Sequence, residues 1–360
     1  MTIARSPATS LRHAFLGAVC VASTAAAQGA QGEFIAHDFR FGTGEMLAEL
    51  RLHYTTLGAP RRDANGVVRN AVMVLHGTGG SGRGFLSPTF AGELFGPGKL
   101  LDTARYYVIL PDGIGHGGSS KPSDGMHAKF PRYTYDDMVR AEHVLLTQGL
   151  QVNHLRLIMG TSMGCMHAWV WGYTYLEFAD GLVPLACAPS AIVGRNRMMR
   201  KMIMDDIRND PGYNGGEYTQ QPRGVTAANQ LLFMMTSAPL VQHRQAPTRD
   251  AADSAITAYL AARARISDAN DMLYQFDASR DYDPSSHLAQ VTTPVLAINS
   301  ADDQVNPPEL GVMERLMPQV QHGKFILLPI TPQTRGHGTH SLPAVWGNYL
   351  AEFLKTLPER

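Results

Sequence analysis

Leu157-Ile158-Met159-Gly160-Thr161-Ser162-Met163-Gly164-Cys165-Met166-His167-Ala168-Trp169 is the stretch whose reading decides the fold. An apolar run passes into Gly-Thr-Ser-Met-Gly and then into a helix-like pattern. This is the strand–turn–helix context in which G-x-S-x-G exposes a serine on a sharp turn. In so tight a turn, Cβ atoms at positions 160 and 164 would collide with neighbouring backbone. Ser162 itself would be held on a strained φ/ψ. An ordinary strand-to-helix turn can carry the same five letters. The rest of the chain must therefore supply a base, an acid and an oxyanion hole.

Outward from this stretch, the sequence alternates strands and helices. Two opening strands are predicted at 34–41 and 49–57, and a polar loop at 60–70. Continuous apolar runs at 71–75, 106–110, 155–159, 182–187, 294–299 and 324–328 read as central strands buried on both faces. Helices are predicted at 134–147, 163–175, 308–317 and 342–357. From about Arg195 to Tyr282 no strand-like run occurs, and helical segments alternate with turn clusters such as Asp210-Pro211-Gly212-Tyr213-Asn214-Gly215-Gly216. The fold class is α/β, with a mostly parallel central sheet flanked by helices and a helical cap inserted late in the chain. In such sheets the site lies at the carboxyl ends of the strands. The methionines Met198, Met199, Met202, Met204, Met234 and Met235 could line an adaptable pocket or simply fill the core of the cap.

Composition limits the partners. The 360-residue chain is 44% hydrophobic with a formal net charge of zero, so neither nucleic acid nor an anionic membrane surface is expected as a partner. The N-terminus reads as a secretory signal. Arg5 and Arg12 precede a short apolar core at 14–22, and Ala25-Ala26-Ala27 offers a cleavage site before Gln28. A lipid anchor on Cys20 is disfavoured by the bulky Val19 before it. No later stretch is long and apolar enough to span a membrane. The expected divisions are a signal peptide at 1–27, a first core segment at 28–190, a helical cap at 191–285 and a second core segment at 286–360. The mature chain is then periplasmic or secreted, and a homodimer is compatible with its sequence. Its two cysteines, Cys165 and Cys187, could pair in an exported protein, but they read more simply as two buried small hydrophobes.

A serine needs a base within reach and a third group that fixes the base's tautomer. The expected chain order is Ser, then acid, then His. After the penultimate strand come Asp302 and Asp303. After the last strand come His337, preceded by Gly336, and the fallback His340. The glycine gives the backbone freedom to swing the His337 imidazole towards the serine. Two histidines three residues apart could bind a metal, but a third ligand is missing, so no metal or other cofactor is expected. The oxyanion hole needs backbone N–H groups, and Met163 and Thr78 are placed to give them. His76, Asp112 and His116 read as structural residues of strand-end loops, and Trp169 and Trp171 as core.

These residues resemble those of α/β-hydrolase-fold enzymes, and more narrowly the homoserine O-acetyltransferase-like branch. The elbow is similar to that branch's GGSMGGMQA, Asp210-Pro211 through Gly216-Glu217-Tyr218 to its cap motif DP…GxY, and Phe276-Asp277-Ala278 to its FDA. The spacing Asp303–Pro307 matches the D-x-x-x-P turn of these enzymes and favours Asp303 as the acid. The resemblance also implies an arginine early in the cap that binds a substrate carboxylate. Arg195, Arg197 and Arg200 lie there, with Arg197 and Arg200 as the candidates. The implied chemistry is cleavage of an ester, lactone or amide in a small-molecule acyl substrate, through an acyl-enzyme on Ser162. Transfer of the acyl group to an alcohol or thiol is the alternative, and the export signal favours water.

Overall fold

The computed structural model describes residues 1–2 and 29–358. The segment expected to be a signal peptide, with Cys20, lies outside the described residues apart from its first two positions.

Eight strands form one sheet. In chain order they are β1 (Ala30–Arg40), β2 (Met46–Leu57), β3 (Ala71–Leu75), β4 (Tyr107–Pro111), β5 (Leu157–Thr161), β6 (Leu182–Leu185), β7 (Val295–Ser300) and β8 (Gly323–Leu328). Their spatial order is β1-β2-β4-β3-β5-β6-β7-β8. The β1–β2 and β2–β4 pairs are antiparallel and the rest parallel. β3 and β5 lie side by side in the middle, which brings the Gly77–Gly80 loop next to Ser162.

The apolar runs are continuous because both faces of the sheet are covered. Met73, Leu75, Ile109 and Ile158 face one layer, packed with α2 (Tyr135–Val144) and α3 (Met163–Thr174). Val72, Val74, Val108, Leu110, Leu157 and Met159 face the other, packed with α1 (Pro88–Leu94) and the C-terminal helix (Pro343–Thr356). The two sets alternate along each strand, as the period of two requires. Trp169 and Trp171 are fully buried in the first layer.

Between β6 and β7 stand α4 (Gly194–Arg208), α5 (Gly224–Thr236), α6 (Pro239–Gln245), α7 (Arg249–Arg263) and α8 (Ala269–Asp277). Ile203, Ile207, Ala228, Met272 and Phe276 give them a separate apolar core. Asp271 fastens them to the sheet domain by accepting from the Ser123 N–H (2.8 Å) and Oγ–H (2.7 Å). Burial raises its pKa to about 6. The expected helix at 308–317 is broken. Gly311 takes a left-handed φ of 59°, and only α9 (Val312–Leu316) is α-helical there, before α10 (Pro343–Thr356) closes the chain.

Cys165 and Cys187 form a disulfide, which corrects the reading of two separate thiols. Both are buried as expected. They meet because α3 starts directly beside the end of β6, bringing their Cα atoms to 6.0 Å across a sequence separation of 22. Replacing both cysteines with serine is expected to lower unfolding stability by about 3 kcal/mol through loss of the loop constraint. Urea denaturation of oxidised and variant protein checks this. Equal midpoints would mean that the bond constrains nothing.

Candidate active site

Ser162 sits between β5 and α3 at φ 53° and ψ −110°, a strained conformation for a residue with a side chain. The turn is held by Ser162 N–H to the Leu185 carbonyl (2.9 Å) and Gly164 N–H to the His76 carbonyl (3.0 Å). A Cβ at position 160 would lie 1.9 Å from the Gly164 oxygen, and one at 164 would lie 2.2 Å from the Leu75 oxygen. Both glycines are therefore required sterically, as the sequence predicts.

His337 lies beyond β8, with Nε2 2.8 Å from Ser162 Oγ and Nδ1 2.9 Å from Asp303 Oδ2. An ionised carboxylate only accepts, so Nδ1 carries the proton and Nε2 is left to accept from the serine hydroxyl. Asp303 is fully buried. Burial alone would push its carboxyl up. Electrostatic attraction to His337, with hydrogen bonds from His337, Asn306 and the Val305 N–H, overcomes this and holds it below the ordinary carboxylate value. Asp303, not Asp302, contacts the imidazole.

Asp302 has a different place. Its Oδ2 accepts from the Gly336 N–H at 2.9 Å, and its Oδ1 accepts from Ser300 Oγ at 2.5 Å. It thereby pins the loop that carries His337. The adjacent acids Asp302-Asp303 were the available signal, but nothing in their spacing assigns the second task. His340 makes no bond to Ser162. Its Nδ1 meets Ser341 Oγ at 2.8 Å, and its ring lies edge-on to His337 at 5.2 Å. Burial, with a smaller effect from the His337 charge, drives its pKa down to about 3, so it is neutral.

The Gly77–Gly80 loop is steadied by His76, whose Nδ1–H donates to the Gly77 carbonyl (2.8 Å) while Nε2 accepts from the Gly113 N–H (3.0 Å). Burial lowers the pKa of His76 and favours this neutral tautomer. Thr78 lines the same cleft as Ser162, and Met163 opens α3, so its amide is in the helix's first turn. Asp112 accepts from the Gly82 and Gly118 N–H groups and pairs with His53. His116 Nδ1 donates to the Ile114 carbonyl. These residues hold loops, as expected.

The cleft is roofed by the cap helices. Leu232, Met235, Phe276 and Arg200 line it along with Phe85, Phe90 and Val305. Of the six methionines singled out in the sequence, Met235 alone lines it. Met199 and Met204 are cap core, and Met198, Met202 and Met234 are exposed. Arg200 is buried. Its Nε donates to Asn196 Oδ1 (2.9 Å), its Nη1 donates to Ser279 Oγ (3.0 Å), and its guanidinium lies over Phe276. No carboxylate lies within 4 Å of it among the described residues. Arg197 is half-buried and lies outside the lining of this cleft. Among the described residues, no cluster of three or more His, Cys, Asp or Glu side chains could hold a metal ion, and no helix is long and apolar enough to cross a membrane.

A sequence model of the alpha/beta hydrolase family matches residues 72–355. The chain is 27% identical over 291 residues to a probable acyltransferase from Methanothermobacter thermautotrophicus, covering 80% of this chain and 88% of that one. It is 36% identical over 194 residues to a homoserine O-acetyltransferase from Thermobifida fusca, a match that spans only 50% of each chain. An acetylester hydrolase structure from Corynebacterium glutamicum superposes with a TM-score of 0.78 at 18% identity, over 91% of this chain and 96% of that one. At that identity the likeness speaks for the fold.

Proposed function

This chain belongs to the alpha/beta hydrolase family, and from that premise we propose that it is an exported serine hydrolase that cleaves a small ester, lactone or amide. Ser162 Oγ attacks the carbonyl while His337 Nε2 takes its proton. The Thr78 and Met163 N–H groups hold the oxyanion. His337 then returns the proton to the leaving group, Asp303 keeps the ring in one tautomer, and water resolves the acyl-enzyme. The observation that carries this reading is the continuous Ser162–His337–Asp303 relay, with contacts of 2.8 and 2.9 Å, at the floor of a cleft.

Arg200 supports a substrate bearing a carboxylate. A buried guanidinium bonded only to neutral groups leaves its charge for a ligand to balance. The Cys165–Cys187 disulfide supports an oxidising compartment, alongside the signal-like N-terminus with cleavage after Ala27. The second reading is acyl transfer. It is favoured by the relatives named as acyltransferases and by the cap over the cleft.

A panel of esters, lactones and amides, run on mature protein with and without acetyl-CoA, separates the two. Hydrolysis unaffected by acetyl-CoA supports the first reading, whereas turnover that needs both acetyl-CoA and an alcohol supports the second. Arg200→Leu is expected to raise KM about tenfold or more for carboxylate-bearing esters, and to leave neutral esters within about twofold. Equal losses on both would remove Arg200 from substrate recognition.

A further inference from the structure

The acid has a second side-chain partner that the serine–histidine–aspartate reading does not use. Asn306 Nδ2 lies 3.1 Å from Asp303 Oδ2 and 3.0 Å from the Ala186 carbonyl. The oxygen it reaches on Asp303 is the one that faces His337 Nδ1 at 2.9 Å. The other oxygen accepts from the Val305 N–H at 2.8 Å. With both oxygens occupied, the carboxylate cannot turn without breaking a bond.

The far end of the link is also fixed. Ala186 adopts φ 64°, a conformation that residues with a Cβ rarely take. Its N–H donates to the Ile298 carbonyl at 2.9 Å, and the next carbonyl, that of Cys187, accepts from Asn299 Nδ2 at 3.1 Å. Cys187 is bonded to Cys165, three residues past Ser162. A single corner at the end of β6 is therefore tied to the helix behind the nucleophile by the disulfide and to the acid by one amide. Asn306 does not line the Ser162 cleft. It lines a neighbouring apolar cleft with Tyr282 and Met313, so it has no route to the substrate.

We propose that Asn306 is a positioning residue for the Asp303–His337 pair, registering the carboxylate against the same corner that anchors the nucleophile helix. The inference rests on the serine-hydrolase reading. Its chemical content is that a carboxylate oxygen accepting two N–H groups is stabilised as the anion and fixed in direction. Without the amide, the carboxylate loses a donor and gains freedom to rotate. With a second carboxylate in its place, the pair faces a like charge. Either change makes the pair hold a proton more tightly, so the acid limb of its reaction moves to higher pH.

Other ionisable groups lie on the elements around this pair. Asp302 follows β7 and holds the His337 loop through the Gly336 N–H, and His340 lies edge-on to His337 at 5.2 Å. Arg195 donates to the Gln304 carbonyl, Arg200 lines the Ser162 cleft, and Glu314 lines the cleft that holds Asn306. None of these is changed in the variants, so a shift in the profile is expected to report on Asn306.

The test is the rate of Ser162 labelling by a fluorophosphonate probe, measured against pH for wild type, Asn306→Ala and the isosteric Asn306→Asp. Asn306→Ala is expected to slow labelling about tenfold and move the acid limb up about half a pH unit, and Asn306→Asp to move it about one unit. Thermal unfolding shows that the variants are folded. Acid limbs unmoved in both folded variants overturn the proposal, because a merely structural asparagine would change stability and not the limb. Failure of folded wild-type protein to label at Ser162 removes the hydrolase reading and this inference together. Normal wild-type labelling with unmoved limbs removes this inference alone.

Discussion

Changing Ser162 to alanine will lower ester turnover by a factor on the order of 10^5 while leaving the fold intact. The size follows from the shared nature of the machinery. Ser162 Oγ is the atom placed to attack, with His337 Nε2 at 2.8 Å, and without it the base has no proton to take. What survives is water reacting at an oxyanion site, which retains a modest acceleration. Stability should barely change. The strained φ of 53° is already imposed by the turn, and alanine tolerates it about as well as serine. The Oγ–Nε2 bond is the side-chain contact that is lost. Turnover and thermal midpoint measured on the same preparation check both halves. A variant that keeps more than about a tenth of wild-type turnover would place the nucleophile elsewhere.

The second large effect separates two adjacent aspartates. Asp303→Asn is expected to reduce kcat about 10^4-fold, because an amide can offer His337 Nδ1 an N–H and favour the wrong tautomer. Asp302→Asn is expected to cost about tenfold or less, because its amide oxygen can still accept from Gly336 N–H and only the loop's support weakens. Stability should respond to pH through Asp303. Its carboxyl is held below the ordinary value in the folded chain, so its contribution is full above the unfolded carboxylate pKa and is lost as pH falls through the lower folded value. Asp303→Asn removes that part of the acid dependence. Steady-state kinetics on both variants, with urea midpoints between about pH 3 and pH 7, give the comparison. Equal kinetic losses for the two would contradict the assignment.

The sheet was readable because its strands are buried on both faces. A run such as Ala71–Leu75 has to be apolar throughout, and the clash of a Cβ with the Gly164 and Leu75 oxygens makes the elbow a pattern of letters. The base and acid could be placed because each follows a strand end. Other features depend on neighbours that sequence distance conceals. The disulfide needs α3 to begin beside the end of β6, and the corner at Ala186 meets Asn306 across 120 positions. The break at Gly311 escaped because Val312, Met313 and Leu316 keep a helix-like spacing on its far side. Helix α1 escaped because its seven residues are too short for a periodic pattern. In the cap, methionine positions gave no direction. Met234 and Met235 are adjacent, yet one faces solvent and the other faces the cleft.

The central claim is that the reaction passes through a covalent intermediate on Ser162. The most direct measurement is peptide mapping by mass spectrometry, after mixing purified protein with excess p-nitrophenyl acetate and quenching in acid before the steady state. The predicted result is one acetyl group on the peptide that contains Ser162, absent in Ser162→Ala and accumulating further in a variant slowed in deacylation. Acetate release with no acylated Ser162 at any quench time, or an acetyl group on another residue in fully active protein, would contradict it.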